Sequence, residues 1–383
     1  MSMMFAHEAL PDSAASLREQ IRAFLADERR QGGFEPACEG WMVANPAWSR
    51  KLGAAGWLGM TWPKRYGGGE RSALERYVVT EELLAAGAPV GAHWVADRQT
   101  GPMLLRYGTE EQRMTFLPAM ARGECYFALG LSEPDAGSDL AAVRTRATPV
   151  DGGWQLSGRK IWTSFAIYAH HIMVLCRSAP RDEDDRHAGL SQLLVPLDAP
   201  GVEMRAIRNL AGEEHFAEVV FDEVFVPDKR VVGEVGNGWR QIIGELAFER
   251  SGPERFLSYY PLLVALLGAT GSGAADPSCA EAVGALVTHL ATLRQMSLSV
   301  AGRLQAGQMP EIEAALVKDL GTRFEQLLPE EIRRLAIRSG IDLDQGEFGR
   351  LLRAAILHAP SATLRGGTNE ILRGAVARGL GLR

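Results

Sequence analysis

The sequence predicts a mainly α-helical protein with a central β-domain, in the order helices, sheet, helices. Three observations predict it. Apolar residues recur at helical spacing from Ser13 to about Arg122. Between Cys125 and Val232 the chain breaks into short apolar runs separated by Gly, Pro and Asp. From Gly238 the helical pattern returns and continues almost to the end. These breaks divide the 383 residues into a helical segment 1–123, a β segment 124–233 and a helical segment 234–383. A chain of this length is expected to form two or three domains.

In the first segment, Ser13 to Arg30 places Leu17, Ile21, Phe24 and Leu25 at helical spacing, with Asp12 or Ser13 as the cap. Trp41 to Trp57 and Ala73 to Ala86 continue the helical reading, and Thr61 to Gly69 is a loop by its Pro and Gly content. Thr109 followed by Gln112 reads as a capping box that opens a further helix.

In the second segment the strand-like runs are Trp154–Leu156, His171–Cys176, Ser191–Pro196, Val202–Ile207 and Glu218–Val226, which suggests a small antiparallel sheet or barrel. The charged run Arg181 to His187 is read as a solvated loop between strands.

In the third segment, Trp239, Ile242, Ile243, Leu246 and Ala247 share one helical face; Arg250 falls inside that face and Glu249 at its edge. An arginine on an apolar stripe calls for a partner, because an unpaired buried charge is costly. Pro253 has no N–H to offer the carbonyl of Glu249, so a bend is expected there. Gly268 to Pro277 reads as a flexible connection between later helices.

Composition narrows the function. With 41 basic and 47 acidic residues, the net charge of −6 gives no reason to expect nucleic-acid binding, although a local basic pocket for a phosphorylated ligand stays open. Cys38, Cys125, Cys176 and Cys279 lie far apart, without metal spacing or a disulfide framework, and read as reduced thiols in a cytoplasmic protein. No signal peptide and no membrane span is expected. The histidines offer no metal site: His170 and His171 would face opposite sides of a strand, and His215 reads as a sheet-edge residue.

Three segments carry candidate chemistry. Phe127 to Asp139 is an apolar strand running into a turn whose hydroxyls and amides could face a ligand. Gly158 to Ser164 is a strand with an aromatic ring and two hydroxyls at its end. Arg365 to Ile371 is a glycine turn opening a C-terminal helix, where backbone amides approach an anion. Each is weak alone; their order and spacing in one chain carry the weight.

In that order they resemble the acyl-CoA dehydrogenase family over essentially the whole length. Ser132-Glu-Pro-Asp-Ala-Gly-Ser-Asp139 is similar to the family's first signature, Gly158-Arg-Lys-Ile-Trp-Thr-Ser164 to the second, and Gly367-Thr368 to the near-terminal turn. Phe221 to Pro227 and Gly236 to Trp239 are similar as well.

The resemblance implies a helical N-terminal domain, a middle β-domain and a C-terminal four-helix bundle. FAD would lie between the last two and reach a neighbouring subunit. Leu131 and Ser132 would meet the isoalloxazine edge, Trp162 would cover one flavin face, and Ser164 would hydrogen-bond near N5. Ser138 would touch the acyl-CoA arm, and Gly367, Thr368 and Glu370 the flavin nucleotide. The implied reaction is α,β-dehydrogenation of an acyl-CoA to the 2-enoyl-CoA, with electrons passed to electron-transferring flavoprotein.

That reaction needs a carboxylate at the α-proton and hydrogen bonds to the thioester oxygen as enolate charge develops. Many family members place the base just before the near-terminal Gly-Thr, where this chain has Gly366. A second branch carries it one residue before an arginine in the first helix of the C-terminal domain. Here that pair is Glu249-Arg250, so the resemblance makes Glu249 the base and Arg250 its support.

Two departures matter. The family's Arg-x-x-Phe-Gly segment is replaced by Gly268 to Pro277, and its Gln-x-x-Gly-Gly-x-Gly segment by Ser339 to Gly346. This resembles a bacterial branch whose members pair with a second, related chain. A homo-oligomeric dehydrogenase and a non-catalytic or half-site subunit of a heteromer therefore both stay open, as does a flavin oxidase or enoyl-CoA reductase. Length, branching and rings in the acyl group stay open too.

Overall fold

The computed structural model describes residues 5–270 and 277–382, with the side chains of 244–249, 277 and 278 outside the description. In chain order the helices are α1 (Asp12–Arg30), α2 (Pro46–Ala54), α3 (Ala73–Ala85), α4 (Gly91–Val95), α5 (Gly101–Tyr107), α6 (Glu110–Ala121) and α7 (Gly238–Glu249). They continue with α8 (Tyr260–Thr270), α9 (Pro277–Gln305), α10 (Glu311–Arg338), α11 (Gly346–His358) and α12 (Asn369–Gly379). Between α6 and α7 lie the strands β1 (Phe127–Gly130), β2 (Arg146–Val150), β3 (Gly153–Ser164), β4 (His171–Arg177), β5 (Leu190–Pro196), β6 (Val202–Ile207), β7 (Phe216–Pro227) and β8 (Val231–Val232).

By packing, the chain forms two compact units, each assembled from separate stretches: Met1–Val43, Ser72–Pro89 and Ala247–Arg383 in one, Ala44–Arg71 and Val90–Leu246 in the other. The second unit holds the sheet, ordered β6-β7-β3-β2-β4-β5-β8 with β1 beside β4. Most pairs are antiparallel, as expected, but β1 and β2 run parallel to β4, so the sheet is mixed. Strand β4 is covered on both faces. Ile172, Val174 and Cys176 pack with Leu156, Val195, Ala217 and Val219, whereas Met173 packs with Trp62, Tyr66, Leu104, Phe116 and Met120 of the helical layer. Cover on both sides explains its unbroken apolar run.

The box at the start of α6 forms, and Gln112 does more than cap. Its Oε1 accepts the Thr109 amide at 3.0 Å, while its Nε2 donates to the carbonyls of Lys229 (2.8 Å) and Val231 (2.7 Å). The stretch from Trp41 to Trp57 is not one helix. Asn45 caps α2 by accepting the Trp48 amide, and Pro46 occupies the first turn, so the helix starts afresh there.

The helical unit packs α1 on α3, α3 on α9, α9 on α10, and α10 on both α11 and α12. Helix α1 begins at Asp12 with Pro11 in the cap position and no side-chain cap, so neither Asp12 nor Ser13 plays the expected part. Its Arg18 and Arg22 reach Glu81 and Glu82 of α3, and Arg294 of α9 reaches Glu81 as well. Helix α7 ends at Glu249, which leaves Arg250 in the following turn rather than inside the helical stripe; Pro253 opens a short 3-10 turn, Pro253–Arg255, instead of bending a continuous helix. Of the connection Gly268 to Pro277, residues 271–276 lie outside the described residues. Among the described residues, no helix is long and apolar enough to cross a membrane.

Candidate active site

In the sheet unit, the end of β1 and the end of β3 are tied together. The Ile161 amide donates to the Ser132 carbonyl at 2.9 Å, and Lys160 Nζ donates to the Leu131 carbonyl at 3.0 Å. Two of the predicted segments, Leu131-Ser132 and Trp162 to Ser164, therefore form one seam. Below it lies a buried ion pair that the sequence reading did not single out, although both residues sit inside the quoted motifs. Lys160 Nζ meets Glu133 Oε1 at 2.8 Å, with Lys160 wholly buried and Glu133 nearly so. Glu133 also accepts the amides of Arg144 (2.7 Å) and Thr145 (2.9 Å). Burial alone would raise its carboxyl; Lys160 and these donors outweigh that and hold it below the ordinary range. Lys160 is pushed down by burial, against the pull of Glu133.

Past this pair β3 bulges against β7, with the register shifting between Lys160 and Thr163. Trp162 takes a left-handed conformation, φ 59°, and its ring stands 55% exposed, its edge against Phe216 at 5.8 Å. A large side chain held at positive φ with its ring in the open is costly for folding, and such strain collects at functional sites. Ser164, two residues on, returns to the ladder opposite Phe216. Ser138 is exposed, in the turn after β1.

The loop Arg181 to His187 is exposed as expected but anchored. The Arg177 guanidinium donates to the carbonyls of Arg186 and Ala188, Arg186 pairs with Asp139, and His187 stacks on Trp239 at 4.2 Å. His171 is packed against Phe116 and Phe127, and burial lowers it to about 4, so it carries no charge at neutral pH.

In the helical unit, the turn Arg365 to Thr368 opens α12. Gly366 (φ 67°) and Gly367 (φ 87°) both lie in the left-handed region, and Thr368 caps α12 by accepting the Ile371 amide at 3.4 Å. Glu370 follows in the first helical turn, exposed. Two guanidiniums stand against the glycines. A Cβ on Gly366 would meet Arg255 Nη2 at 2.7 Å, and one on Gly367 would lie 3.7 Å from Arg250 Nη2. Gly366 thus has no carboxylate, and its positive φ is a conformation that other side chains rarely adopt. The backbone of Glu249 closes α7 next to Arg250, and its side chain lies outside the described residues.

The turn is held from beneath by a charge cluster that sequence reasoning missed. Arg365 Nη1 donates to Glu39 Oε1 at 2.5 Å, Nη2 lies 3.5 Å from Glu325 Oε2, and the guanidinium sits over the Trp41 ring at 4.4 Å. Glu39 also meets His358 Nδ1 at 3.2 Å and accepts from the Tyr259 hydroxyl at 3.2 Å. Both carboxylates are buried, with opposite outcomes. Burial would raise Glu39, but Arg365 and His358 bring it to about 2. Burial, with the Glu39 charge added, lifts Glu325 to about 7 against Arg365. No signal in sequence finds this cluster, since Glu39, Glu325 and Arg365 come together only through folding. Among the described residues no group of His, Cys, Asp and Glu could hold a metal ion.

The helix–sheet–helix order gives the chain the fold of a class of flavoprotein dehydrogenases, and comparison with known proteins gives the family. The acyl-CoA dehydrogenase N-terminal, middle and C-terminal domain families match residues 11–124, 128–224 and 268–381. The chain is 37% identical over 352 residues to acyl-CoA dehydrogenase IpdE1 of Mycolicibacterium smegmatis, covering 88% of each protein. It is 34% identical over 378 residues to IpdE1 of Mycobacterium tuberculosis, covering 95% of this chain and 97% of that one. The chain belongs to the acyl-CoA dehydrogenase family, and it is an oxidoreductase of that family. Among solved structures it is similar to the Tcur3481-Tcur3483 steroid ACAD, with a TM-score of 0.85 at 28% identity over 98% of this chain and 99% of that one. It is also similar to the ChsE4-ChsE5 complex from Mycobacterium tuberculosis, with a TM-score of 0.82 at 27% identity over 98% and 99%.

Proposed function

We propose that this chain binds FAD and removes the α-proton and β-hydride of an acyl-CoA thioester, Glu249 taking the proton. The observation that carries the reading is the seam: Leu131, Ser132 and Ser164 around an open Trp162 ring held at positive φ. An exposed aromatic face beside backbone polar groups and hydroxyls fits a planar ring system with a polar edge, as an isoalloxazine is. On this reading Leu131 and Ser132 meet the ring edge, Trp162 one face and Ser164 the N5 side; Gly367, Thr368 and Glu370 serve the nucleotide at the N-terminus of α12. When bound, FAD supplies the acceptor for the hydride.

The chain's own residues do the rest. Ser138 holds the thioester's carrier arm. Glu249 takes the α-proton, and Arg250 keeps that carboxylate ionised and oriented until the substrate arrives. Electrons then leave to electron-transferring flavoprotein. The division into domains 1–123, 124–233 and 234–383 belongs to this reading, as does a cytoplasmic location. The likeness to a steroid ACAD favours a bulky, ring-bearing acyl group.

The test is a spectrum and a titration. The purified chain, alone or co-expressed with a related partner, should be yellow, and a ring-bearing acyl-CoA should bleach it. Glu249→Gln should keep the colour and slow bleaching by about 10² or more. Bleaching at the parent rate would move the base elsewhere.

A second reading is a subunit of a heteromer in which a partner completes the flavin site. Glycine at 366, the two departures from the family pattern and the likeness to the ChsE4-ChsE5 complex support it. Light scattering of a fully active monomer would remove both the heteromeric and the homo-oligomeric reading.

A further inference from the structure

The chain after α7 is irregular, yet Ser251 to Tyr259 is buried throughout. Buried backbone outside a helix or ladder must find its partners elsewhere, and here side chains from distant elements supply them. Ser297 Oγ of α9 donates to the Ser251 carbonyl at 2.5 Å. The Ser258 amide donates to Glu325 Oε1 of α10 at 3.1 Å, and the Ser258 carbonyl accepts the Glu39 amide at 2.8 Å. Trp41 Nε1 donates to Ser258 Oγ at 3.2 Å. This segment is therefore pinned at both ends, and Glu249 and Arg250 come just before it in the chain.

The glycine turn is pinned by the same groups. Glu39 Oε1 accepts from the Tyr259 hydroxyl at 3.2 Å and from Arg365 Nη1 at 2.5 Å, so one oxygen joins the two segments. Glu325 repeats the link with its other oxygen, which lies 3.5 Å from Arg365 Nη2. On the side of the glycines, Arg255 and Arg250 stand against Gly366 and Gly367. Glu39 is itself held in the left-handed region, φ 55°, with its side chain buried. A long side chain at positive φ is unfavourable, and such strain persists where the surroundings demand that residue. Stability alone does not ask for this arrangement, because apolar residues of similar volume often replace buried ions without loss.

We propose that Glu39 and Glu325 are positioning residues for the α-proton transfer: they clamp the segment that follows Glu249 to the residue that opens the glycine turn. The proposal rests on the reading of Glu249 as the base. A base must stay within hydrogen-bond reach of the proton it takes, and a displacement of about 1 Å there can cost about 10² in rate. Helix α7 ends at Glu249, so its own ladder gives no restraint beyond that residue. The clamp supplies it, from α10 and from the stretch between α1 and α2.

The experiment compares Glu39→Gln, which keeps an oxygen for Tyr259 and Arg365, with Glu39→Leu, which keeps the bulk and offers none. Flavin reduction by acyl-CoA is followed by stopped flow in the full-length, flavin-loaded proteins, as a rate constant per bound flavin. Loss of folded protein lowers the amplitude of bleaching and leaves that rate constant alone, so position is separated from stability. Glu39→Leu should slow the saturated rate about tenfold or more with half-saturation within about twofold, and Glu39→Gln should stay within about threefold of the parent. Glu325→Leu and Glu325→Gln should divide in the same way. Hydrogen exchange without substrate should quicken about tenfold or more in 250–259 and 363–369 together in Glu39→Leu, with α1 and α3 at the parent rate. If Glu39→Leu does not fold, Tyr259→Phe removes one strut and no charge, and should slow the rate about threefold and quicken exchange in both segments.

Parent-rate bleaching in the Leu variants, Gln variants as slow as the Leu ones, or exchange that quickens in one segment only or equally in α1 and α3 would each overturn the clamp. So would parent rate and parent exchange in Tyr259→Phe. A parent flavin that no acyl-CoA bleaches would sink the proposed function alone, because exchange reads the clamp without turnover.

Discussion

The guanidinium of Arg255 occupies the space that a side chain on Gly366 would need, with Nη2 2.7 Å from the position of an added Cβ. Gly366 sits at φ 67°, so the backbone favours glycine there, and any side chain would also have to push the end of the buried Arg255 aside. Gly366→Ala is expected to lower stability by about 1–3 kcal/mol in denaturant melts. Gly366→Glu placed in a Glu249→Gln background should fail to restore flavin reduction, because the new carboxylate would meet Arg255 rather than substrate. Recovery of bleaching in that double variant would show that the turn can serve a base after all.

Arg250 stands beside the second glycine, Gly367, in the turn after α7. Arg250→Ala is expected to cost flavin content and thermal stability together, because a half-buried cation and its packing are lost at the glycine turn. Glu249→Gln should alter neither. Visible absorbance per mole of protein, read beside a melt, separates the two; a fully flavinated Arg250→Ala protein with slow bleaching would make Arg250 catalytic instead.

The Glu133–Lys160 pair should be worth most when broken from one side. Glu133→Gln leaves a wholly buried ammonium without its counter-charge, at a cost of about 3–5 kcal/mol. Replacing both residues, as in Glu133→Gln/Lys160→Met, should recover much of that loss. Equilibrium unfolding of the four-member cycle checks it. A single-variant cost under about 1 kcal/mol would mean the pair is looser than its geometry.

Trp162 makes the opposite prediction. Its ring is largely in the open, so Trp162→Ala should move stability by only about 0.5 kcal/mol. If the ring covers a flavin face, FAD affinity in the same variant should fall by about tenfold or more. Titration of the apoprotein followed by flavin fluorescence decides this. Unchanged affinity would take Trp162 out of the site.

The buried cluster beneath the turn gives the helical unit opposing pH dependences. Glu39, lowered to about 2 against an ordinary value of about 4.3, contributes stability that is complete above that ordinary value and lost as pH falls toward 2. Glu325, raised to about 7, contributes stability that is complete at low pH and lost as pH rises through 7. Denaturant melts between pH 5 and pH 8 should therefore show a decline with rising pH, centred on about 7, that Glu325→Gln flattens. An identical slope in parent and variant would show that Glu325 is already ionised in the fold.

Much of this fold is legible in the sequence. Period and punctuation separate helices from strands, because burial on one face of a helix and on the faces of a sheet impose different repeats. Thr109 and Gln112 announce the start of α6, since a capping box is made entirely from residues three apart. The segments around Ser132, Trp162 and Thr368 could be picked out because each is a short, contiguous piece of chain. Elsewhere the local signal misled. Pro253 suggested a bend, but the chain leaves the helix at Glu249, and Arg250 turns toward Gly367 instead of packing in an apolar stripe.

What the sequence determined by itself was therefore everything set by neighbours along the chain: element types, caps, the family motifs and the absence of a carboxylate at Gly366. What only the tertiary structure decided was everything set by neighbours across it. Glu133 faces Lys160 over 27 positions and Glu39 faces Arg365 over 326. No period or motif encodes such pairings, because a buried charge selects its partner by the geometry of packed elements and by the cost of leaving either charge alone.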